Sequence, residues 1–454
     1  MPGLCGTEDA DLLEENDLIA RVRKLISDAR EAFWVVPAAM VLASILAAFG
    51  FVHLDRSGVL PPWLLEGWLY NGGPTGARTL LGAIASSAIG VAGTVFSITI
   101  AALSLAAGQM GPRLLRNFTR DRGNQFALGV FVSTFAYALM VLRTIRTTDE
   151  GQFVPHLSLT ISILLAFVCI ATLVWFVAHM AGRINVDTVI DLVSDDLHCA
   201  LEKLKDEGMK EEESPPVEYW HDAAQVIDPR SGYLQQLDQD GLADWAAENG
   251  AAIRLLVREG NYVFPSAPIA LVKPDVKDVE GAIRRATALG SQRRGALGID
   301  YSTTQLVEVA IRALSPGVND PYTAMIVLDR LGAAMCELAA LELPSGVVNR
   351  NGRCVLLVPT LRYEELLDTT FDTIRHHSKG TPAILSKLLE VLAKVAACER
   401  SGGRLAALEL QARLVLDEAE RALQAPRDIA QIRLAYARFE RVVEKGGTAL
   451  ATRS

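Results

Sequence analysis

Ser86, Gly90, Gly93, Ser97, Ala101, Ser104 and Gly108 recur at steps of three and four, so on a helix they share one face. Two physical roles suit such a face. Small residues let helices approach closely in lipid, where no hydrophobic force drives association, so the stripe can serve packing alone. Repeated around a symmetric ring, the same stripe lines a narrow, weakly polar conduit in which hydroxyls and exposed carbonyls partly replace ion hydration. Arg113, Arg116, Arg120 and Arg122 follow this segment. They suit contact with anionic lipid head groups, or a basic vestibule that attracts small anions.

A second dense signal is Arg312-Ala-Leu-Ser-Pro-Gly-Val-Asn-Asp-Pro-Tyr-Thr-Ala. Ser315-Pro316-Gly317 breaks the chain, Asn319 or Asp320 can cap, and Pro321 fits a first helical turn. Architecture alone accounts for such a turn. The functional alternative holds an anion on the amides of the following helix, with Arg312 assisting. Arg312, Ser315, Asn319, Asp320 and Thr323 are its candidate residues. The turn lacks the Gly-Lys-Ser/Thr ending of a phosphate loop.

These residues need elements to position them. Residues 79–112 carry no ionisable side chain; as a helix they span roughly 50 Å, against a hydrocarbon core of about 30 Å. Phe33 to Val52, Phe126 to Leu142 and Leu157 to Ala178 are further candidate spans, the third being the shortest. The first follows an acidic segment rather than a short basic one, so it reads as a retained span and not a signal peptide. No span holds Asp, Glu, Lys or Arg, which argues against a proton relay or a charge-coupled pump. His179, at the end of the fourth span, suits an interfacial position.

Arg21, Arg23, Lys24 and Arg30 precede the first span, the arginine cluster follows the second, and Arg183 follows the fourth. Only Arg56, Arg78, Arg143 and Arg146 lie on the other side. The excess predicts that both termini and the whole C-terminal region are cytoplasmic. Between His53 and Arg78, Pro61, Pro62, Trp63, Leu64, Leu65 and Trp68 suit an anchoring belt in the interfacial zone.

Residues 183–454 suffice for one or two cores. The formal charge of −9, with 21% charged residues, gives no support to nucleic-acid binding. Cysteines 5, 169, 199, 336, 354 and 398 include no Cys-x-x-Cys pair, so neither a zinc ribbon nor a disulfide framework is indicated. Ile184 to Lys205 continues in helical style, and Asp206 to Pro216 reads as a solvated linker. A strand-rich piece runs from Arg230 to Val272. Its Gly-Asn-Tyr-Val turn resembles that of a biotinyl or lipoyl barrel-sandwich, but without a lysine there a carrier role is disfavoured. Helical spacing covers Tyr301 to Leu314, Asp320 to Leu341, Tyr363 to His377, Pro382 to Cys398, Arg404 to Leu423 and Arg427 to Glu444, with a strand at Cys354 to Val358. His376 and His377 point in different directions on a helix, so they suit a helix end better than a metal site.

The predicted fold class is an α-helical membrane protein with four transmembrane helices and a large, mainly α cytoplasmic α+β domain containing a small β module. Its segments are a cytoplasmic N-terminal segment (1–32), the transmembrane domain (33–182), a helical extension and linker (183–222), the β module (223–275), a helical domain (276–445) and a disordered tail (446–454). No cofactor, metal or catalytic constellation is expected.

Phe96-Ser-Ile-Thr-Ile-Ala-Ala-Leu-Ser-Leu-Ala, Pro112-Arg-Leu-Leu-Arg-Asn-Phe, Gly129-Val-Phe-Val and Ser315-Pro-Gly-Val-Asn-Asp-Pro-Tyr-Thr-Ala together resemble the bacterial membrane-protein family catalogued as domain of unknown function 2254. The resemblance runs from the first span to about residue 440. It implies an inner-membrane protein and brings no activity or catalytic residue. The residues themselves lead to a homo-oligomeric channel-like protein, not an enzyme, contacting membrane lipids and an ion or small anion. The alternative is a membrane-anchored regulatory or scaffold protein that binds a partner or small anionic ligand.

Overall fold

A computed structural model describes residues 33–57, 73–110, 121–148, 151–183, 185–206, 214–291, 298–378 and 380–448. The chain divides into two compact units, Met1–Asn185 and Val186–Ser454.

Four helices long and apolar enough to cross a membrane make up the first unit: α1 (Val35–Ser57), α2 (Pro74–Met110), α3 (Arg122–Leu142) and α4 (His156–Arg183). A short antiparallel hairpin, β1 (Arg146–Thr148) and β2 (Gly151–Phe153), joins α3 to α4. The sequence does not announce that α3, the shortest span, is the centre of the bundle. It packs against each of the other three, and 56% of its span is buried against 17% to 22% for the rest. Small and polar residues allow this. Gly129 receives the thioether of Met40 from α1, and a Cβ there would collide with that sulfur. Ser44 on α1 donates to the Ser133 carbonyl at 2.9 Å. Asp55, near the end of α1, accepts from the Leu157 and Ser158 amides at 3.0 Å and from the Ser158 hydroxyl at 2.7 Å. That carboxylate caps the free amides at the start of α4, so one helix terminus is satisfied by another helix.

The second unit opens with α5 (Val186–Asp206). Strands β3 (Ala224–Ile227), β4 (Gly232–Leu237), β5 (Ala252–Leu255), β6 (Tyr262–Val263) and β7 (Pro268–Lys273) follow, with α6 (Gln239–Glu248) between β4 and β5. Then come α7 (Val279–Ala286), β8 (Thr287–Gly290), α8 (Ile299–Ala313), α9 (Pro321–Leu338), β9 (Val347–Arg350) and β10 (Arg353–Leu357). The β module read at 223–275 does not close on itself. Strand order β3-β7-β5-β10-β9 makes one sheet and β6-β4-β8 another, so strands from beyond residue 275 complete both. The reason is burial: β5 is a central strand that takes β7 on one edge antiparallel and β10 on the other parallel. Asp228, 3% exposed, is gripped by Arg230, which also donates to the Thr287 hydroxyl at 2.7 Å and so ties the β3–β4 corner to β8. Burial alone would raise the Asp228 pKa, but the Arg230 guanidinium outweighs it and holds the carboxyl below its usual range.

The remaining helices are α10 (Tyr363–Leu367), α11 (Thr373–His377), α12 (Pro382–Cys398), α13 (Gly402–Ala422) and α14 (Pro426–Lys445). Their bounds follow the apolar spacing closely. A widened π turn, Asp368–Asp372, joins α10 to α11. His376 and His377 donate from Nδ1 to the carbonyls of Asp372 and Thr373, four residues back. The linker segment 207–213 and the tail from 449 lie outside the described residues.

Helix α5 docks on α9 through two polar ties. Arg330 pairs with Asp191, and His198 Nδ1 meets Glu337 at 2.8 Å, with Glu202 and Asp195 also facing the ring. The hydrogen bond to Glu337 raises the His198 pKa. A raised folded value means that the tie is complete below about pH 6.5, the ordinary histidine value, and fades as pH rises past the folded one. Amide exchange across residues 186–206, corrected for intrinsic rates, should therefore speed up between pH 6 and pH 8.5; in His198→Gln that pH dependence should vanish. In the first unit, Gly129→Val should lower the detergent-solubilised melting point, the overpacking against Met40 costing about 1–3 kcal/mol.

Candidate functional site

Helix α2 is continuous for 37 residues, with proline only at its first position. Its two faces differ. Ala77, Leu81, Ile84, Ala85, Ala88, Ala92, Val95 and Ala102 are buried; this alanine-rich face lets α3 come close. Ser86, Gly90, Gly93, Ser97, Ala101, Ser104 and Gly108 are all exposed. At 3.6 residues per turn they lie about 180° from the buried face. A Cβ placed on Gly90, Gly93 or Gly108 would meet nothing within 4 Å. Among the described residues, then, no helix of the same subunit packs on this stripe. Larger side chains flank the stripe: Ile89, Phe96 and Ile100 on one side, Ile98 and Leu105 on the other, all exposed.

The hydroxyl chemistry of the face is one-sided. Ser86 Oγ donates to the Gly82 carbonyl at 2.8 Å, Ser97 Oγ to Gly93 at 2.9 Å and Thr94 Oγ1 to Gly90 at 3.2 Å. Their protons are committed to the helix, so these oxygens present lone pairs outward. The surface accepts hydrogen bonds weakly and carries no charge.

Of the arginine cluster, Arg113, Arg116 and Arg120 lie outside the described residues, and Arg122 is the exposed first residue of α3. Beside it sits a polar knot that no sequence spacing pointed to. Asp121 caps α3 by accepting from the Gly123 amide at 2.8 Å, and its other oxygen meets His179 Nε2 at 2.7 Å. The His179 ring stacks on Trp175 with centroids 4.8 Å apart. Gly123 has no room for a side chain because His179 and Trp175 crowd it. The pair joins residues 58 apart in sequence, which is why it is invisible to local spacing. A histidine facing the start of α3 binds the end of α4 to it, just as Asp55 binds α1 to the start of α4.

In the second unit, Asp320 rather than Asn319 caps α9. Its carboxylate accepts from the Thr323 amide at 3.2 Å and the Thr323 hydroxyl at 2.6 Å. Asn319 adopts a left-handed φ of 49°, which asparagine tolerates better than most residues. Ser315 donates from Oγ to the Arg312 carbonyl at 2.7 Å. The Asp320 carboxylate thus fills the place, and supplies the charge, that an anion would bring to this helix terminus. On this geometry the architectural reading accounts for the turn at Arg312, Ser315, Asn319, Asp320 and Thr323. Around the turn, Val318, Tyr322 and Ile326 are exposed by 41%, 75% and 38%.

Among known proteins, the profile described as Predicted membrane protein (DUF2254) matches residues 30–394. Uncharacterized protein Rv1290c of Mycobacterium tuberculosis and Uncharacterized protein Mb1321c of Mycobacterium bovis are each 32% identical to this chain over 466 residues, an alignment covering 98% of it and 87% of each relative. No solved structure matches.

The cap assignment is testable by equilibrium unfolding of the full-length protein. Asp320→Ala should cost about 1 kcal/mol, whereas Asp320→Ser should retain most of the stability. If phosphate or sulfate stabilised wild type through this terminus, Asp320→Ala would enhance that effect; no such enhancement is expected.

Proposed function

For this chain, which belongs to the family of Predicted membrane protein (DUF2254), we propose a homo-oligomeric ion channel or channel-like transporter of the bacterial inner membrane, with α2 of each copy lining a shared axis. One observation carries this reading: among the described residues, the small-residue face of α2 is turned away from the other helices of its own subunit. Helices α1 and α4 expose large side chains instead, among them Leu42, Leu46, Phe49, Phe167, Ile170 and Val174. Large apolar groups suit acyl chains, while serine, glycine and alanine suit another helix or a narrow conduit. The protein acts by transport rather than catalysis, and its environment partners are membrane lipids.

Orientation in this reading follows the arginine excess, with both termini and the second unit in the cytoplasm. The second unit then serves as a regulatory platform. Arg122, the exposed first residue of α3, then stands at the cytoplasmic end, where it meets lipid head groups or concentrates anions. Further in, outward hydroxyl lone pairs on α2 favour cations. Which of the two opposed fields governs the flux is read from the reversal potential.

A second reading, a membrane-anchored scaffold, draws on the exposed Val318, Tyr322 and Ile326 around the Asp320 turn. It predicts a partner whose capture depends on Tyr322.

Protein reconstituted in liposomes should pass small ions. Ser97→Trp and Ser104→Trp should each cut the flux at least about tenfold by filling a narrow conduit, while Leu46→Trp, on the α1 surface, should leave it unchanged. Intact assemblies that stay silent under every ionic and tension condition would reject conduction.

A further inference from the structure

Helices α9 and α12 run side by side in the same direction. Asp329 on α9 pairs with Lys387 on α12 at 2.8 Å. About one turn on, Gly332 admits a methyl of Val391 so closely that a side chain at 332 would have to displace it. A further turn on, the Cys336 and Cys398 side chains face each other across the two helices. Cys336 is half-buried, and Cys398, the last residue of α12, is exposed. Of the other described cysteines, Cys169 lies in the first unit, Cys199 on α5 and Cys354 on β10.

We propose that Cys336 and Cys398 are a redox pair, closed to a disulfide by a hydroperoxide and reopened by thiols, which cross-links α9 to α12. The chemistry runs in two balanced steps. The exposed Cys398 sulfur attacks the peroxide, giving a sulfenic acid and releasing the alcohol, or water from hydrogen peroxide. The Cys336 sulfur then displaces water from that sulfenic acid, its own proton leaving with the hydroxyl, and the S–S bond forms. The two sulfurs together lose two electrons and the peroxide gains them. Burial, with the neighbouring Cys398 thiol adding to it, pushes the Cys336 thiol up to about 12. Cys336 is therefore a poor primary target and acts as the resolving sulfur, reacting because its partner faces it.

The cross-link falls where it matters mechanically. Glu337, next to Cys336, takes His198 from α5, and Arg330 on the same helix takes Asp191. Helix α5 follows α4 in the chain after Asn185. Fixing α9 to α12 stiffens the surface on which α5 rests. This inference stands on thiol geometry and is independent of conduction, and its readouts involve no flux.

The test uses full-length protein in detergent, treated with hydrogen peroxide, alkylated and digested without reductant. Mass spectrometry should find the Cys336–Cys398 peptide pair, lost on adding dithiothreitol. In Cys398→Ser, Cys336 should stay a thiol; in Cys336→Ser, Cys398 should proceed to sulfinic acid. Amide exchange over α9 and the end of α12 should slow by about threefold or more on oxidation of the wild type. Cys398 reaching sulfinic acid in the wild type while Cys336 stays free would overturn the pairing. A cross-link that leaves exchange unchanged would overturn the stiffening.

Discussion

A helix in lipid gains nothing by hiding its apolar surface, so it associates only where small residues let backbones approach or polar groups pair. That constraint organises the membrane unit. Helix α3 supplies the close approaches, with Gly129 admitting Met40 and an alanine-rich face of α2 lying against it. Polar pairs then pin the ends: Asp55 on the first turn of α4, and Asp121 with His179 where α3 begins and α4 finishes. With α3 satisfied by one face of α2, the opposite face of α2 is left with small side chains and, among the described residues, nothing of its own subunit to pack against.

The two ends of the bundle use the same device. In each, a carboxylate satisfies amides at a helix start that lipid or interfacial water would serve poorly. Asp55 does so for a different helix, and Asp121 for its own while also holding His179. Asn124, 1% exposed and one turn into α3, makes no side-chain hydrogen bond, so the polarity near Asp121 is not fully spent. The second unit relies instead on an ordinary apolar core, with charged ties such as Arg230 to Asp228 and Arg330 to Asp191 at its corners.

Much of this was legible in the sequence, for identifiable reasons. Helix spans and the one-sided stripe on α2 follow from local periodicity, and Pro382 to Cys398 is recovered residue for residue because proline and a helix end mark it. The centrality of α3 was missed because length and hydropathy treat each span alone. A signal existed: its hydropathy of 1.8 is the lowest of the four, and Asn124, Gln125, Ser133 and Thr134 are buried polar residues. The strand at Cys354 to Val358 is legible, but its place in the sheet is not, because β5 and β10 pair across some hundred residues. Its hairpin was marked by Asn351-Gly352, both at positive φ, a two-residue turn signature between strands. Asp121 with His179 is likewise a long-range meeting that no spacing encodes. At the Asp320 turn the architecture is legible in the sequence, while the choice of Asp320 over Asn319 as cap is set by the fold.

The central claim is that the small faces of α2 meet one another when copies assemble. Disulfide cross-linking in native membranes tests it most directly, in a background with the other cysteines replaced. Ser97→Cys should give an oxidant-dependent dimer of the chain, while Ala92→Cys, on the face buried against α3, should give none. Absence of the Ser97 dimer in membranes where the protein is folded and abundant would contradict a shared axis lined by α2.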